Sequence, residues 1–155
     1  MKRLLILLLF LPFLISAATE ITGKVVKVSD GDTIKVYTGS GKPVTIRLHG
    51  IDCPEKKQAF GSVATKFTSD FCFGKEARVV VFEKDRYGRS IGEVFVGDKS
   101  LNKALVKNGF AWWYRYFANN DKELERLESE ARKAKIGLWK DKNPVPPWEF
   151  RKRKK

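Results

Sequence analysis

The chain has 155 residues, and 31 lysines and arginines against 18 aspartates and glutamates give it a formal net charge of +13 at pH 7. This length suits a single domain with one hydrophobic core. The positive charge favours a polyanionic partner, either nucleic acid or an anionic surface, although a cationic surface can also serve solubility alone. One histidine and two widely spaced cysteines argue against a zinc site.

The N-terminus has the pattern of a secretory signal peptide over residues 1–18. Two basic residues precede an apolar run from Leu4 to Ile15, and Ser16 to Ala18 supply the small residues of a cleavage site. The apolar run is shorter than the roughly 20 residues of a membrane-spanning helix, so an uncleaved anchor is the weaker interpretation. We predict export, to the periplasm or the medium, and a mature chain that begins near Thr19.

The chain after this leader begins with strand patterns. In the segment from Val44 to Leu48, alternation puts Val44, Ile46 and Leu48 on one face and Arg47 on the other. The Gly/Ser-rich segment Thr38–Lys42 predicts a hairpin loop. The predicted strands are Ile21–Val28, a segment around Ile34 and Val36, the segment from Val44 to Leu48, Val79–Phe82 and Ile91–Val96.

Helical spacing predicts three helices. They run from about Ala59 to Phe71, from Ser100 as N-cap to Gly109 as the stop, and from about Asp121 to Ile136. In the first helix the predicted buried stripe is Val63, Ala64, Phe67 and Phe71. In the third it is Leu124, Leu127, Ala131 and Ala134, and Glu128 and Arg132 are spaced to pair. Strands followed by helices predict an α+β domain built on a five-stranded, oligonucleotide-binding-like (OB-like) β-barrel with three helices.

The C-terminal segment has a different composition. Prolines between Asn143 and Trp148 exclude a central helix or strand, and the five cations Arg151–Lys155 are predicted to fray. We therefore divide the chain into a leader (1–18), one folded domain (19–142) and a proline-rich, basic tail (143–155).

Acidic residues recur at the predicted strand ends. Asp32 and Asp52 end neighbouring segments, and two carboxylates that converge there, with a backbone carbonyl and waters, suit Ca²⁺. Taken alone, Asp32 belongs to an ordinary Asp-Gly-Asp turn. Arg47 and Glu55 change that interpretation, because an arginine fork grips phosphate oxygens and a carboxylate orients or deprotonates water. Arg89, in a later turn, is the second candidate phosphate ligand, so the pattern indicates phosphodiester chemistry.

Four motifs in this order and spacing resemble the secreted thermonuclease (staphylococcal nuclease) family. They are Asp30-Gly31-Asp32-Thr33, Ile46-Arg47-Leu48, Ile51-Asp52-Cys53-Pro54-Glu55 and Asp85-Arg86-Tyr87-Gly88-Arg89. The similarity continues through Leu101–Gly109, Tyr114 and Tyr116, and Gly137-Leu138-Trp139. It covers essentially the whole predicted mature chain and identifies residues 19–142 as a nuclease domain.

The resemblance implies a Ca²⁺ site. Asp32 and Asp52 are expected to bind the ion through their side chains, and Cys53 through its main-chain carbonyl. The family more often has threonine or alanine at the position of Cys53, but a backbone contact tolerates that change. Asp30 matches an acid that lies near the metal without being clearly a direct ligand.

The resemblance also implies the catalytic and substrate-binding residues. Arg47 and Arg89 match the two phosphate-binding arginines, and Glu55 matches the residue that acts as general base or mainly orders water. The residues expected to contact the nucleotide are Arg86, Tyr87, Tyr114 and Tyr116. Aromatic rings hold bases without reading sequence.

The expected activity is that of an exported, Ca²⁺-dependent endonuclease acting as a monomer. It is expected to cleave DNA and RNA without sequence specificity on the 5′ side of the phosphodiester and to leave 3′-phosphate ends. A catalytically inactive nucleic-acid-binding module on the same barrel is the alternative, but inactive copies are expected to lose one of the five residues Asp32, Arg47, Asp52, Glu55 and Arg89. A third hypothesis is binding to anionic membranes through the tail cations Arg151–Lys155.

Several residues near these motifs have plainer interpretations. His49 is expected to be structural, and Trp112 and Trp113 are expected to be core or rim residues. Cys53 and Cys72 either form a disulfide, as export permits, or lie buried as small hydrophobes.

Overall fold

The computed structural model describes residues 19–153, and the predicted signal peptide lies outside this range. The strands are β1 Thr19–Asp30, β2 Thr33–Tyr37, β3 Val44–Leu48, β4 Ile51–Asp52, β5 Glu76–Lys84, β6 Ser90–Val96, β7 Lys99–Ser100 and β8 Trp112–Trp113. The helices are α1 Gly61–Cys72, α2 Leu101–Lys107, α3 Lys122–Lys133 and α4 Pro147–Lys152, with a 3₁₀ turn at Gly137–Lys140. None of the helices between residues 19 and 153 has the length and apolar character to cross a membrane.

Five strands close into a barrel. The order β3-β2-β1-β5-β6 is antiparallel throughout, and β3 then pairs in parallel with β6 to close the ring. Strand β7 extends the β6 edge, while β4 and β8 form a separate two-stranded ladder. The prediction of an α+β fold on a five-stranded OB-like barrel is therefore confirmed.

Alternating strand residues fill the barrel, as the period of two requires. The fully buried strand residues include Val25, Ile34, Val36, Ile46, Val79 and Val94. Helix α2 closes one end with Leu101 and Leu105, and Ser100 caps it by accepting a hydrogen bond from the Lys103 amide. Buried Asn102 accepts from the Val94 amide and donates to the carbonyl oxygens of His49 and Gly92, which ties this helix to the β3–β6 seam.

The predicted helix boundaries and stripes need three corrections. Helix α1 starts only at Gly61, because Phe60 adopts a left-handed φ of 66°. Val63 is exposed rather than on the buried stripe, since the barrel covers only the Ala64 side of α1. Helix α3 ends at Lys133, where a left-handed Lys135 turns the chain and leaves Ala134 exposed.

A fourth helix in the tail was not predicted. Helix α4 starts with Pro147 in its first turn, where proline lacks only an N–H that the helix does not use. It extends through Arg151 and Lys152, so the prediction that the tail fraying begins at Arg151 is wrong. Proline here starts a helix on the surface of the domain rather than preventing one.

A buried polar cluster, which we call the Glu128 cluster, lies between α3 and β8. The Glu128 carboxylate accepts from the Trp113 amide at 3.1 Å and pairs with Arg115 at 3.1 Å and Arg132 at 3.3 Å. The predicted Glu128–Arg132 pair is thus confirmed. Trp112 and Trp113 are both buried, as expected of core residues.

The two cysteines are buried and free, so the buried-hydrophobe alternative holds and the disulfide does not form. Cys72 lies fully inside the core, and burial raises the pKa of its thiol to about 12. Burial also raises the pKa of the Cys53 thiol well above its ordinary value. Neither cysteine is available for thiol chemistry in the folded protein.

Candidate active site

The barrel strands bring Asp32 next to Arg47. Asp32 lies in the turn between β1 and β2, and the β2–β3 register sets Thr33 opposite Arg47. The Leu48 amide donates to the Asp32 carbonyl at 2.9 Å. Gly31 permits this turn to pack closely, since a Cβ there would lie 2.8 Å from the Cβ of Cys53. A side chain at that position would push the turn away from the loop after β4.

Asp32, Arg47 and Asp52 form what we call the carboxylate cluster. The Arg47 guanidinium lies 2.9 Å from Asp32 Oδ2 through Nη1 and 2.9 Å from Asp52 Oδ1 through Nη2. The Cys53 amide donates to Asp32 Oδ2 at 2.7 Å. The side chains of Asp32 and Asp52 are only 9% and 2% exposed, and that of Arg47 is 16% exposed. Two buried carboxylates therefore share one buried cation.

This burial is electrostatically costly for the Asp32 carboxylate. Loss of solvent is the main cause that raises the pKa of Asp32 to about 7, and the negative charges of Asp30 and Asp52 add to it. The Arg47 charge and the Cys53 amide lower the pKa but do not offset the rise. An added positive charge would stabilise the ionised pair.

The donor set suits a hard divalent cation. Carboxylate oxygens, together with backbone oxygens and water, are the ligands that Ca²⁺ takes. Among residues 19–153, no group of three or more His, Cys, Asp or Glu side chains gathers at metal-binding distance. A cation bound at Asp32 and Asp52 would take its remaining ligands from main-chain carbonyls, as predicted for Cys53, and from water.

An open cavity of about 830 Å³ borders this cluster. Glu55 lies on its wall with a side chain that is 41% exposed. The Glu55 amide donates to the Gln58 side chain at 3.1 Å, which fixes the loop after β4. Asp30 lines the same cavity and accepts a hydrogen bond from the Asp32 amide. The structure thus gathers Asp30, Glu55 and the carboxylate cluster at one cavity.

Arg89 reaches this cavity from the turn between β5 and β6. Asp85 accepts hydrogen bonds from the amides of Tyr87 and Arg89 and holds Arg89 Nε at 2.7 Å. The two terminal guanidinium nitrogens of Arg89 make no hydrogen bond to any residue in 19–153. A turn that anchors the arginine by Nε leaves its outer fork available for an anion.

The predicted nucleotide-contacting residues lie at the cavity rim with different environments. Tyr87 is 69% exposed, with the guanidinium of Arg86 over its ring at 4.9 Å. Tyr114 lines the cavity. Tyr116 is 81% exposed and stacks on Tyr114 with ring centroids 6.3 Å apart, but it is not among the cavity-lining residues. Three of the four predicted residues therefore line the cavity directly, namely Arg86, Tyr87 and Tyr114.

Two other sequence expectations concern neighbours of the site. The His49 ring packs against Phe82 with centroids 4.7 Å apart, and burial lowers the pKa of His49, which suits a structural histidine. Trp112 and Trp113 do not line this cavity.

Arg151 is a cavity residue that the sequence reasoning missed. This side chain of α4 bridges Asp52 and Glu55, with Nη2 at 2.8 Å from Asp52 Oδ2 and Nη1 at 2.8 Å from Glu55 Oε1. In the sequence it is one of five consecutive cations, and nothing in that run distinguishes it. The Pro-Pro-Trp segment before it was the available signal, because it predicts a stiff, anchored start for whatever follows.

Comparisons with known proteins agree with this geometry. A sequence model of the family described as staphylococcal nuclease homologue matches residues 45–141. A protein of Escherichia coli O157:H7 named as an uncharacterized endonuclease is 44% identical over 155 residues, covering 99% of this chain and 100% of its own. A micrococcal nuclease of Shigella flexneri is 38% identical over 151 residues, covering 91% of this chain and 86% of its own. The chain therefore belongs to the family of staphylococcal nuclease homologues.

Proposed function

We propose that this protein is an exported, Ca²⁺-dependent nuclease that hydrolyses phosphodiester bonds of DNA and RNA without sequence specificity and leaves 3′-phosphate ends. Membership in a family with nuclease relatives supports the nuclease activity itself. The observation that carries the finer proposal is the pair of buried acids around Arg47, with Glu55 and Arg89 on the same cavity.

Each of these residues has a distinct task. Glu55 is exposed enough to reach a water molecule and to orient or deprotonate it. The free outer fork of Arg89 is suited to the oxygens of the phosphate, where negative charge grows in the transition state. The terminal nitrogens of Arg47 hold Asp32 and Asp52, so Arg47 would turn to the phosphate only when a cation takes over those carboxylates. When bound at Asp32 and Asp52, Ca²⁺ supplies further positive charge to that phosphate and to the attacking water.

The aromatic residues at the edge of the cavity and the positive charge of the chain support substrate binding without sequence preference. The exposed rings of Tyr87 and Tyr116 offer flat surfaces for bases, and every base has a face to stack. Tyr114 stacks on Trp148 and Tyr116 and supports this rim. The net charge of +13 attracts the phosphate backbone of DNA and RNA alike and makes binding depend on salt. Export is proposed from the leader pattern of residues 1–18, and the protein is proposed to act as a monomer.

A cleavage assay tests this function. The purified protein is incubated with single-stranded DNA, RNA and duplex DNA, once with Ca²⁺ and once with a chelator of Ca²⁺. We expect cleavage of all three only with Ca²⁺, fastest on single strands, and products whose 3′ ends carry phosphate. Binding of nucleic acid without Ca²⁺-dependent cleavage would contradict the proposal and favour the inactive module on the same barrel.

A further inference from the structure

Arg151 lies at the centre of the candidate site although it comes from outside the matched family segment, residues 45–141. Its fork spans two carboxylates, Asp52 through Nη2 and Glu55 through Nη1, each at 2.8 Å. Within residues 19–153, Glu55 has no other ion-pair partner. Arg151 therefore fixes the direction of the carboxylate that is proposed to orient the water.

The helix that carries Arg151 is firmly attached to the domain. Trp148 stacks on Tyr114 with an interplanar angle of 13° and a centroid distance of 5.1 Å, and packs edge-on against Trp112 at 5.6 Å. Just before the helix, the Gln58 side chain donates to the Val145 carbonyl at 2.6 Å. Pro146 and the buried Pro147 restrict the chain that leads into α4. These contacts make α4 a part of the site wall.

The contacts at Asp52 indicate which arginine, Arg47 or Arg151, would leave this carboxylate when a metal cation binds. Arg47 contacts Asp52 Oδ1, and Arg151 contacts Oδ2 at 2.8 Å and Oδ1 at 3.4 Å. Both oxygens of this proposed metal ligand are therefore already paired with guanidinium groups. The Arg151 side chain is 43% exposed and that of Arg47 is 16% exposed, so Arg151 has the shorter route into solvent.

We propose that Arg151 is a third functional arginine of the site, a positioning residue that orients Glu55 and competes with the divalent cation for Asp52. It rests on the proposed nuclease function. Arg151 releases Asp52 when the cation binds and keeps its contact with Glu55 through Nη1. The tail thus contributes to the reaction through Glu55, and its positive charge substitutes for the cation while the cation is absent.

Two measurements on one variant test this proposal. In Arg151→Gln, the competitor for Asp52 is gone, so Ca²⁺ binding measured by calorimetry without nucleic acid is expected to tighten about fivefold. Glu55 loses its partner, so kcat for DNA cleavage is expected to fall about tenfold while KM changes less than about twofold. Opposite changes in metal affinity and turnover are not expected from a helix that only stabilises the fold.

Lys152→Gln is the matched control, because it removes the same charge from the next residue of α4, whose exposed side chain makes no hydrogen bond, ion pair or ring contact with residues 19–153. It is expected to behave as wild type in both measurements. Arg151→Lys, which keeps a charge beside Glu55, is expected to recover most of the turnover. The thermal midpoint of each variant shows that it is folded.

Several results would overturn the role of Arg151. The first is a Ca²⁺ affinity of Arg151→Gln that equals or falls below that of Lys152→Gln. The second is an unchanged kcat, and the third is a loss of kcat/KM that comes from a higher KM instead of a lower kcat. A rise in kcat would also overturn it, because it would mean that α4 obstructs the site. If the wild type shows no Ca²⁺-dependent cleavage, the proposed function fails, and the calorimetric comparison still decides whether Arg151 competes for Asp52.

Discussion

The part of the chain that the structure describes contains two buried carboxylate clusters with opposite charge balance. In the Glu128 cluster, one carboxylate is satisfied by a backbone amide and two arginines, whose side chains are 62% and 41% exposed. In the carboxylate cluster, two buried acids share Arg47, Arg151 pairs with Asp52 and Glu55, and Asp30 adds a further negative charge at the same cavity. The first arrangement is complete without a ligand. The second has an excess of acid that favours a cation, which is what separates a functional site from a structural one.

The largest expected effect is on turnover at the site. Glu55→Ala and Arg89→Ala are each expected to lower kcat by about 100-fold or more, because they remove the group that handles water and an arginine that stabilises the phosphate. Steady-state cleavage of single-stranded DNA at saturating Ca²⁺ measures this effect. Lys84→Ala, an exposed residue at the end of β5, is the control and should keep normal turnover. Near-normal turnover in either variant would refute the role of that residue.

The Glu128 cluster is expected to affect stability instead. Glu128→Ala leaves the buried Trp113 amide without an acceptor and removes the partner of Arg115 and Arg132, so the free energy of unfolding should fall by about 2 kcal/mol. Urea unfolding measures it. Glu130→Ala is the control on the same helix, where an exposed pair with Arg126 is worth less than about 1 kcal/mol. A Glu128→Ala variant that is as stable as wild type, or that is folded but has lost turnover, would contradict the purely structural role of the Glu128 cluster.

The smallest expected effect is at Cys53. If this residue serves the site only through its backbone, Cys53→Ala should keep kcat within about threefold of wild type and lose only about 1 kcal/mol of stability from the lost side chain. Thiol titration gives a second readout. Cys53 and Cys72 should resist alkylation at pH 8 in the native protein and both react in denaturant. A large loss of turnover, or fast native labelling of Cys53, would assign the thiol a part in the chemistry.

The sequence predicted most of the fold and the centre of the site. Strand alternation is a local property, so it correctly set Arg47 apart from the buried Ile46 and Leu48. The order of the motifs then predicted that Asp32 and Asp52 meet, and the strand pairing of β2 with β3 is the physical reason that Asp32 meets Arg47.

The parts that were missed depend on packing across long sequence separations. Val63 has the right helical spacing for burial, but no element within residues 19–153 covers its side of α1. Arg151 lies at the cavity because Trp148 of the same helix stacks on Tyr114, a residue 34 positions earlier in the chain. Local patterns in a run of cations carry no information about such a contact.

The proposed function requires a divalent-cation site at Asp32 and Asp52. Calorimetric titration of Ca²⁺ into the metal-free protein, without nucleic acid, tests it most directly. We expect one site in the wild type, the same site in folded Glu128→Ala, and binding at least about tenfold weaker in Asp52→Asn. Absence of Ca²⁺ binding in the wild type, or equal affinity in Asp52→Asn, would contradict the account.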